Sequence, residues 1–327
     1  MSAGGPVLEA RDLRTTLVLR DGSFDVVRGV SLALCEGETL ALVGESGCGK
    51  TMTALSIMRL LPDPPARITG GEVWLDGREI TKVSAKAMRE LRGDQVSMVF
   101  QEPLTSLDPV FTIGAQLTEV VTAHRDTSRD DAEEMAVEML REVQIPSPER
   151  RLKDYPHQLS GGMRQRVMIA MALACRPLLV LADEPVTALD VMIQAQIMDL
   201  LHDLRADLSL AMILISHDLS VIAETCDRVA IMYGGRLVEI GSVVQVFRQP
   251  AHPYSRGLLR AFPNIHGKRE FVSGIPGYPP SLTNPPPGCR FYERCPARMQ
   301  ICEKEGPQLR AIADGHSVAC LLYGGEA

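Results

Sequence analysis

LALVGESGCGKT, residues Leu40 to Thr51, joins an unbroken apolar run to a glycine-rich loop that ends in a lysine and a hydroxyl. Gly44 to Thr51 fits the pattern GxxxxGK(S/T), with a strand-like run before it and helix-compatible residues after it. The glycines let the backbone curl until its N–H groups converge, and the helix start that follows adds the positive end of its dipole. Gly44, Glu45, Ser46, Gly47, Cys48, Gly49 and Met52 would then surround a chain of phosphates. Lys50 would reach the outer phosphates and Thr51 would offer its hydroxyl to Mg2+. Strand, loop and helix in that order predict an α/β fold with a ligand at the carboxyl end of a parallel strand.

Downstream, two further apolar runs read as buried parallel strands, Leu178–Ala182 and Met212–Ile215. The first continues into Asp183, placed to hold Mg2+ through water, and Glu184, placed to orient or deprotonate an attacking water. Two adjacent carboxylates ending an apolar strand are costly to bury without a cation. The second run leads to His217. Residues 7–43 and 72–82 alternate as short strands, broken at Asp21-Gly22, Glu36-Gly37 and Asp76-Gly77. Helical spacing puts Met135, Met139, Leu140 and Val143 on one face, and later Ile193, Ile197, Leu200, Leu204 and Leu208, which reads as core packing. Arg228 to Ile240 reads as a hairpin around Gly234-Gly235.

The bulk properties exclude several classes. The 327 residues are 45% apolar and carry a net charge of −7, with no basic run of the kind that binds nucleic acid or anionic lipid. The N-terminal stretch has no apolar core of a signal peptide. The longest apolar stretch, Val167 to Cys175, is far short of the roughly 18–20 residues of a membrane span. Any membrane role is therefore expected to come through a partner. From Pro263 to Pro287 prolines recur, which predicts an extended linker into a small C-terminal module.

Leu159-Ser160-Gly161-Gly162-Met163-Arg164-Gln165-Arg166 opens another apolar helix with a hydroxyl and free N–H groups, a second anion site in one chain. This stretch closely resembles the signature sequence of ATP-binding cassette (ABC) ATPases. Gln101 in VFQEP resembles the family's Q-loop glutamine, which contacts Mg2+ or water. Thr187-Ala188-Leu189-Asp190 resembles the D-loop, and His217 in Ile215-Ser216-His217-Asp218 the switch histidine. The resemblance implies an ABC-type P-loop ATPase with an antiparallel β subdomain, a helical subdomain at about 87–170 and a small C-terminal extension. The ATPase domain would cover residues 1–255 and the extension 256–327. It also implies that each ATP lies between one P-loop and the signature of a second ATPase subunit.

YPHQLSGGMRQRVMIAMALACRP at 155–177, ADEPVTALDV at 182–191, HPYSRGLLRAFP at 252–263 and GCRFYERCP at 288–296 resemble a narrower group, the ATPases of bacterial dipeptide and oligopeptide importers. That likeness implies a different second ATPase, two transmembrane permease subunits and an extracytoplasmic solute-binding protein, with the chain peripheral on the cytoplasmic face of the inner membrane. Related systems import nickel, metallophores or other small solutes. Non-transport ABC ATPases of DNA repair or ribosomes typically carry two cassettes or a long coiled coil, and neither pattern occurs here.

Cys289, Cys295, Cys302 and Cys320 crowd the tail with spacing C-x5-C-x6-C-x17-C. Four thiolates suit either Zn2+ or an iron–sulfur cluster, and the tight C-x2-4-C pair usual in structural zinc sites is missing. The resemblance to peptide-importer ATPases implies a 4Fe-4S cluster. A proline-rich tail of this size needs some such staple to offset its ordering entropy.

Overall fold

The computed structural model describes residues 5–20, 22–102, 106–186, 189–261 and 274–324. The expectations placed on Thr187 and Ala188, and on the proline-bearing segment from 262 to 273, lie outside the described residues. The chain forms two compact units and passes repeatedly between them. One comprises residues 9–33, 39–73 and 216–327, the other residues 1–8, 34–38 and 74–215.

In the first unit the strand Thr39–Val43, buried at every residue, runs parallel to Arg228–Tyr233, with Leu40 opposite Arg228 and Val43 opposite Ile231. Leu40 to Val43 are apolar on both faces because both faces are covered. Arg228–Tyr233 and Arg236–Ser242 form the expected antiparallel hairpin, turning at Gly234 and Gly235 with φ of 55° and 82°. The tail extends the same sheet: His316–Val318 pairs antiparallel with Arg236–Ser242, and Arg310–Ala313 pairs with His316–Val318. Phe291 of the tail packs in one core cluster with Ala41, Val43, Ile231, Tyr233 and Tyr254. Glu239, fully buried, accepts hydrogen bonds from Ala251 N and His252 N at 2.7 and 2.8 Å, and His316 Nε2 lies 2.8 Å from it. A buried carboxylate is tolerable only with such a set of partners, and these join the hairpin to the tail.

The alternation over residues 7–43 predicts several short strands. Ahead of the short strand Thr39–Val43 the structure instead has two long ones, Leu8–Leu19 and Gly22–Leu34, of 12 and 13 residues. They continue past the left-handed residues Asp12 (φ 48°) and Gly29 (φ 70°), which distort the strands without ending them.

In the second unit Val96–Val99, Leu179–Asp183 and Ala211–Ile215 run parallel, Val99 opposite Ala182 and Asp183 opposite Ile215, and all three are buried throughout. Helices Ile113–His124, Arg129–Glu142, Gly161–Leu173 and Val191–Leu208 bury mostly apolar residues, with Gln116 and Gln165 among them. Each begins where a Thr, Ser or Asp side chain accepts the N–H three residues on, from Thr112, Ser128, Ser160 and Asp190. The periodic apolar face read from the sequence begins in the second of these only at Met135. Ser128 starts it earlier, with Asp130 and Asp131 in the first turn facing the positive dipole end. Among the described residues no helix is long and apolar enough to cross a membrane.

Candidate nucleotide site

In the first unit the buried strand Thr39–Val43 delivers the chain to Gly44, and helix Lys50–Ile57 leaves from the far side of the loop. Lys50 is buried, and its Nζ donates to Gly44 O at 2.8 Å and Glu45 O at 3.3 Å, so the loop is closed around its own lysine. The inner side of the loop rests on backbone. A Cβ on Gly44 would collide with Met232 O, and one on Gly49 would stand 2.5 Å from Val26 O. A Cβ on Gly47 would meet nothing within 4 Å, and Ser46, Gly47 and Thr51 are exposed. The loop is thus packed on one side and open on the other, the shape a phosphate chain needs. Cys48 is buried, which pushes its thiol up and keeps it neutral. His217, exposed, belongs to this unit and precedes Asp218, whose carboxylate accepts from Ser220 N at 2.8 Å to start the helix Leu219–Thr225.

The second unit carries the other predicted residues. Asp183 is the last residue of its strand and 4% exposed. Glu184 follows in the left-handed region, φ 45°, its N–H donating to Ile215 O at 2.9 Å. A non-glycine residue held there is a local strain that persists only under surrounding constraint. Gln101 Nε2 donates to Glu184 Oε2 at 3.1 Å, so residues 83 apart meet at one carboxylate. Ser160 Oγ accepts from Met163 N at 3.3 Å. A Cβ on Gly162 would lie 2.8 Å from Ile193 Cγ2, so the start of that helix sits tight against the turn capped by Asp190, whose Oδ1 accepts from Ile193 N at 2.9 Å. Gly44 to Met52 and His217 therefore share one unit. Gln101 with Glu184, and Ser160–Gly162 beside the Asp190 turn, share the other.

Sequence reasoning missed the wall behind the phosphate loop. Tyr254 Oη accepts from Glu45 N at 3.0 Å, Gly235 N donates to Cys48 O at 2.9 Å, and Arg294 forms a two-pronged pair with Glu45 at 2.7 and 2.9 Å. Tyr254 and Arg294 fall inside the HPYSRGLL and GCRFYERCP stretches, but no spacing rule connects them to a loop two hundred residues earlier.

The tail cysteines are gathered but do not form a ligand shell. Cys289 N donates to Cys302 O at 2.7 Å, and burial, then the neighbouring thiols Cys302, Cys295 and Cys320, push the Cys289 thiol up to about 11. Yet among the described residues no three Cys, His, Asp or Glu side chains are placed to hold a metal ion. The expectation of a 4Fe-4S or Zn2+ site therefore has no support in this structure. Spacing along the chain counts residues, whereas coordination also needs the side chains to point at a common centre.

The ABC transporter family model matches residues 27–187, and the model of the oligopeptide/dipeptide transporter C-terminal region matches residues 238–302. A probable peptide ABC transporter ATP-binding protein of Sinorhizobium fredii is 50% identical over 96% of this chain and 94% of its own length. The dipeptide transport ATP-binding protein DppD of Bacillus subtilis is 46% identical over 97% and 94%, and the oligopeptide transport ATP-binding protein OppD of Salmonella typhimurium 48% over 96% and 93%. Among solved structures, the ADP- and Pi-bound dimer of the ATP-binding cassette MJ0796 is 27% identical and covers 72% of this chain and 98% of its own, with a TM-score of 0.65. The chain is an ATP-hydrolysing enzyme and belongs to the ABC transporter ATPases, in the group of oligopeptide and dipeptide transport ATP-binding proteins.

Proposed function

We propose that this chain drives an importer of di- or oligopeptides from the cytoplasmic face of the inner membrane. The observation that carries the reading is the loop Gly44–Thr51, closed around Lys50 at the end of a buried strand and open at Gly47. The β- and γ-phosphates of ATP would replace the Gly44 and Glu45 carbonyls on the Lys50 ammonium, and amides at the start of helix Lys50–Ile57 would donate to them. Thr51, Gln101 and Asp183 each carry a hard oxygen of the kind Mg2+ takes and would be its ligands. That ion supplies positive charge against the transferring phosphoryl group. Glu184 would accept the proton of the attacking water while Gln101 holds that carboxylate, and His217 would serve the γ-phosphate as the family's switch histidine does. Ser160, Gly161 and Gly162, with Asp190 adjoining, serve the ATP bound by a second ATPase subunit.

Residues 1–255 act as the nucleotide-binding domain, with 87–170 as its helical part, and 256–327 as the extension. The peptide assignment rests on the relatives' names, two of them dipeptide and oligopeptide transport proteins. Two permease subunits and an extracytoplasmic binding protein complete the assembly. The test is the transporter reconstituted in vesicles. Charge-assisted bonds to phosphate contribute roughly 2 kcal/mol, so Lys50→Ala is expected to weaken Mg-ATP binding about thirtyfold and to remove peptide-stimulated hydrolysis. Unchanged affinity would remove Lys50 from this role. Stimulation by a nickel chelate but not by peptide would reassign the solute.

We also propose that Cys289, Cys295, Cys302 and Cys320 close on a 4Fe-4S cluster, with Zn2+ as the alternative. Its support is the sequence alone, four cysteines within one small tail. Anaerobically purified protein is expected to be brown, with about four irons per chain. One zinc per chain, or a colourless protein without iron, would sink the cluster.

A further inference from the structure

Arg294, a charged side chain of the tail, reaches the phosphate loop and uses every donor it has. Arg294 Nε donates to Pro276 O at 3.0 Å; Nη1 donates to Glu45 Oε2 at 2.7 Å and Tyr233 Oη at 3.2 Å; Nη2 donates to Glu45 Oε1 at 2.9 Å and Ile275 O at 3.2 Å. All five guanidinium N–H groups are thereby satisfied, the full capacity of an arginine. The side chain is 6% exposed and lies 5.7 Å from the Tyr233 ring centre, within the aromatic group Tyr233, Tyr254 and Phe291. Such a fork is strong in geometry as well as charge, and a lysine cannot reproduce it.

Its partner is an unusual one for an anion site. Glu45 is the second residue of the loop, and its backbone carbonyl already touches the Lys50 ammonium at 3.3 Å. A carboxylate here opposes a phosphate ligand in two ways: by repulsion, and by competing for Lys50. Held by Arg294, it is neutralised and turned toward the tail.

We propose that Arg294 is a positioning residue for nucleotide binding, which fixes the Glu45 carboxylate away from the phosphate site so that the folded tail sets the affinity of the loop for ATP. This rests on the phosphate-loop reading above and adds the tail to it. Glu45 is 26% exposed, so solvent screens part of the effect and the expected size is moderate.

The experiment measures equilibrium Mg-ATP binding and steady-state hydrolysis on the full chain. Arg294→Gln is expected to raise Kd and KM about tenfold with little change in kcat. Glu45→Gln is measured as the reference for the double variant, and Arg294→Gln with Glu45→Gln is expected to return within about threefold of that single Glu45→Gln variant, because no unbalanced carboxylate remains. A purely structural arginine would leave the double variant as weak as the single one, which would overturn the proposal, as would an unchanged KM in folded Arg294→Gln. If Arg294→Gln does not fold, the same comparison is read from Arg294→Lys with and without Glu45→Gln, where relief by the second change supports the proposal and no relief overturns it. Lys50→Ala is run alongside. Loss of binding there with none in the Arg294 series sinks this inference alone, whereas normal binding by Lys50→Ala sinks the loop reading itself.

Discussion

Glu184→Gln is expected to lower ATP turnover about a thousandfold while ATP affinity stays within about twofold, because a general base contributes roughly 10²–10⁴ to rate and nothing to ground-state binding. The glutamine keeps the length and shape of the side chain. It can still meet Gln101, whose Nε2 now donates to Glu184 Oε2 at 3.1 Å, by turning its own carboxamide oxygen toward it. What it cannot do is accept a proton from water. The backbone conformation should survive, since the left-handed φ of 45° depends on the turn after Asp183 and on the bond from Glu184 N to Ile215 O, not on the carboxylate. Bound ATP would then persist, and the ATP-held dimer should accumulate in size-exclusion chromatography run with Mg-ATP. Hydrolysis above a tenth of the wild-type rate would assign the base elsewhere. Among the described residues, the histidine that follows the strand Ala211–Ile215, His217, would be the next to examine.

How much of this site the sequence discloses depends on how local each feature is. The loop Gly44–Thr51, Asp183 at the end of an apolar run and Ser160 at a helix start are all set by neighbours within a few residues, so pattern rules find them. The parallel strands are legible for the same reason: an unbroken apolar stretch such as Leu179–Ala182 is intelligible only if both faces are covered. Gln101 meeting Glu184 is legible as residue types but not as a contact. Arg294 and Glu45 stand 249 residues apart, beyond any periodicity, and only the folded chain joins them.

The tail illustrates the opposite failure. Its proline content argues against long helix, yet it hides two strands, Arg310–Ala313 and His316–Val318, that are too short and too polar to register as alternation. They form because the edge of Arg236–Ser242 offers a template and because His316 finds Glu239. The chain's repeated passage between two units is equally invisible to composition: residues 34–38 belong to one unit while the stretches on either side, 9–33 and 39–73, belong to the other. Cysteine spacing gives donor identity without direction, which is why the four thiols suggest a metal site and the structure places no such group.

Gly49→Ala should be severely damaging for a change of one methyl, with ATP binding weakened about a hundredfold or more. Gly49 caps the helix Lys50–Ile57 with φ of 107°, a conformation that costs an L-residue roughly 1–3 kcal/mol. The added Cβ would also stand 2.5 Å from Val26 O, and that oxygen is backbone in the long strand Gly22–Leu34, so it cannot swing aside as a side chain would. The loop must move instead. Movement there rotates the amides at the helix start and shifts Lys50, whose Nζ is positioned to within hydrogen-bond distance of Gly44 O and Glu45 O. Two or three phosphate-facing donors lost together account for roughly 3 kcal/mol or more, hence about a hundredfold in Kd. Gly47→Ala is the matched control in volume, because its Cβ would meet nothing within 4 Å, although its φ of 76° adds strain of its own. Equilibrium Mg-ATP binding and thermal melting of both variants separate the two causes. The expected result is that both lose some stability through φ, while Gly49→Ala alone loses binding in excess of that loss. Equal binding by the two variants would show that backbone strain, not the contact with Val26, governs the loop.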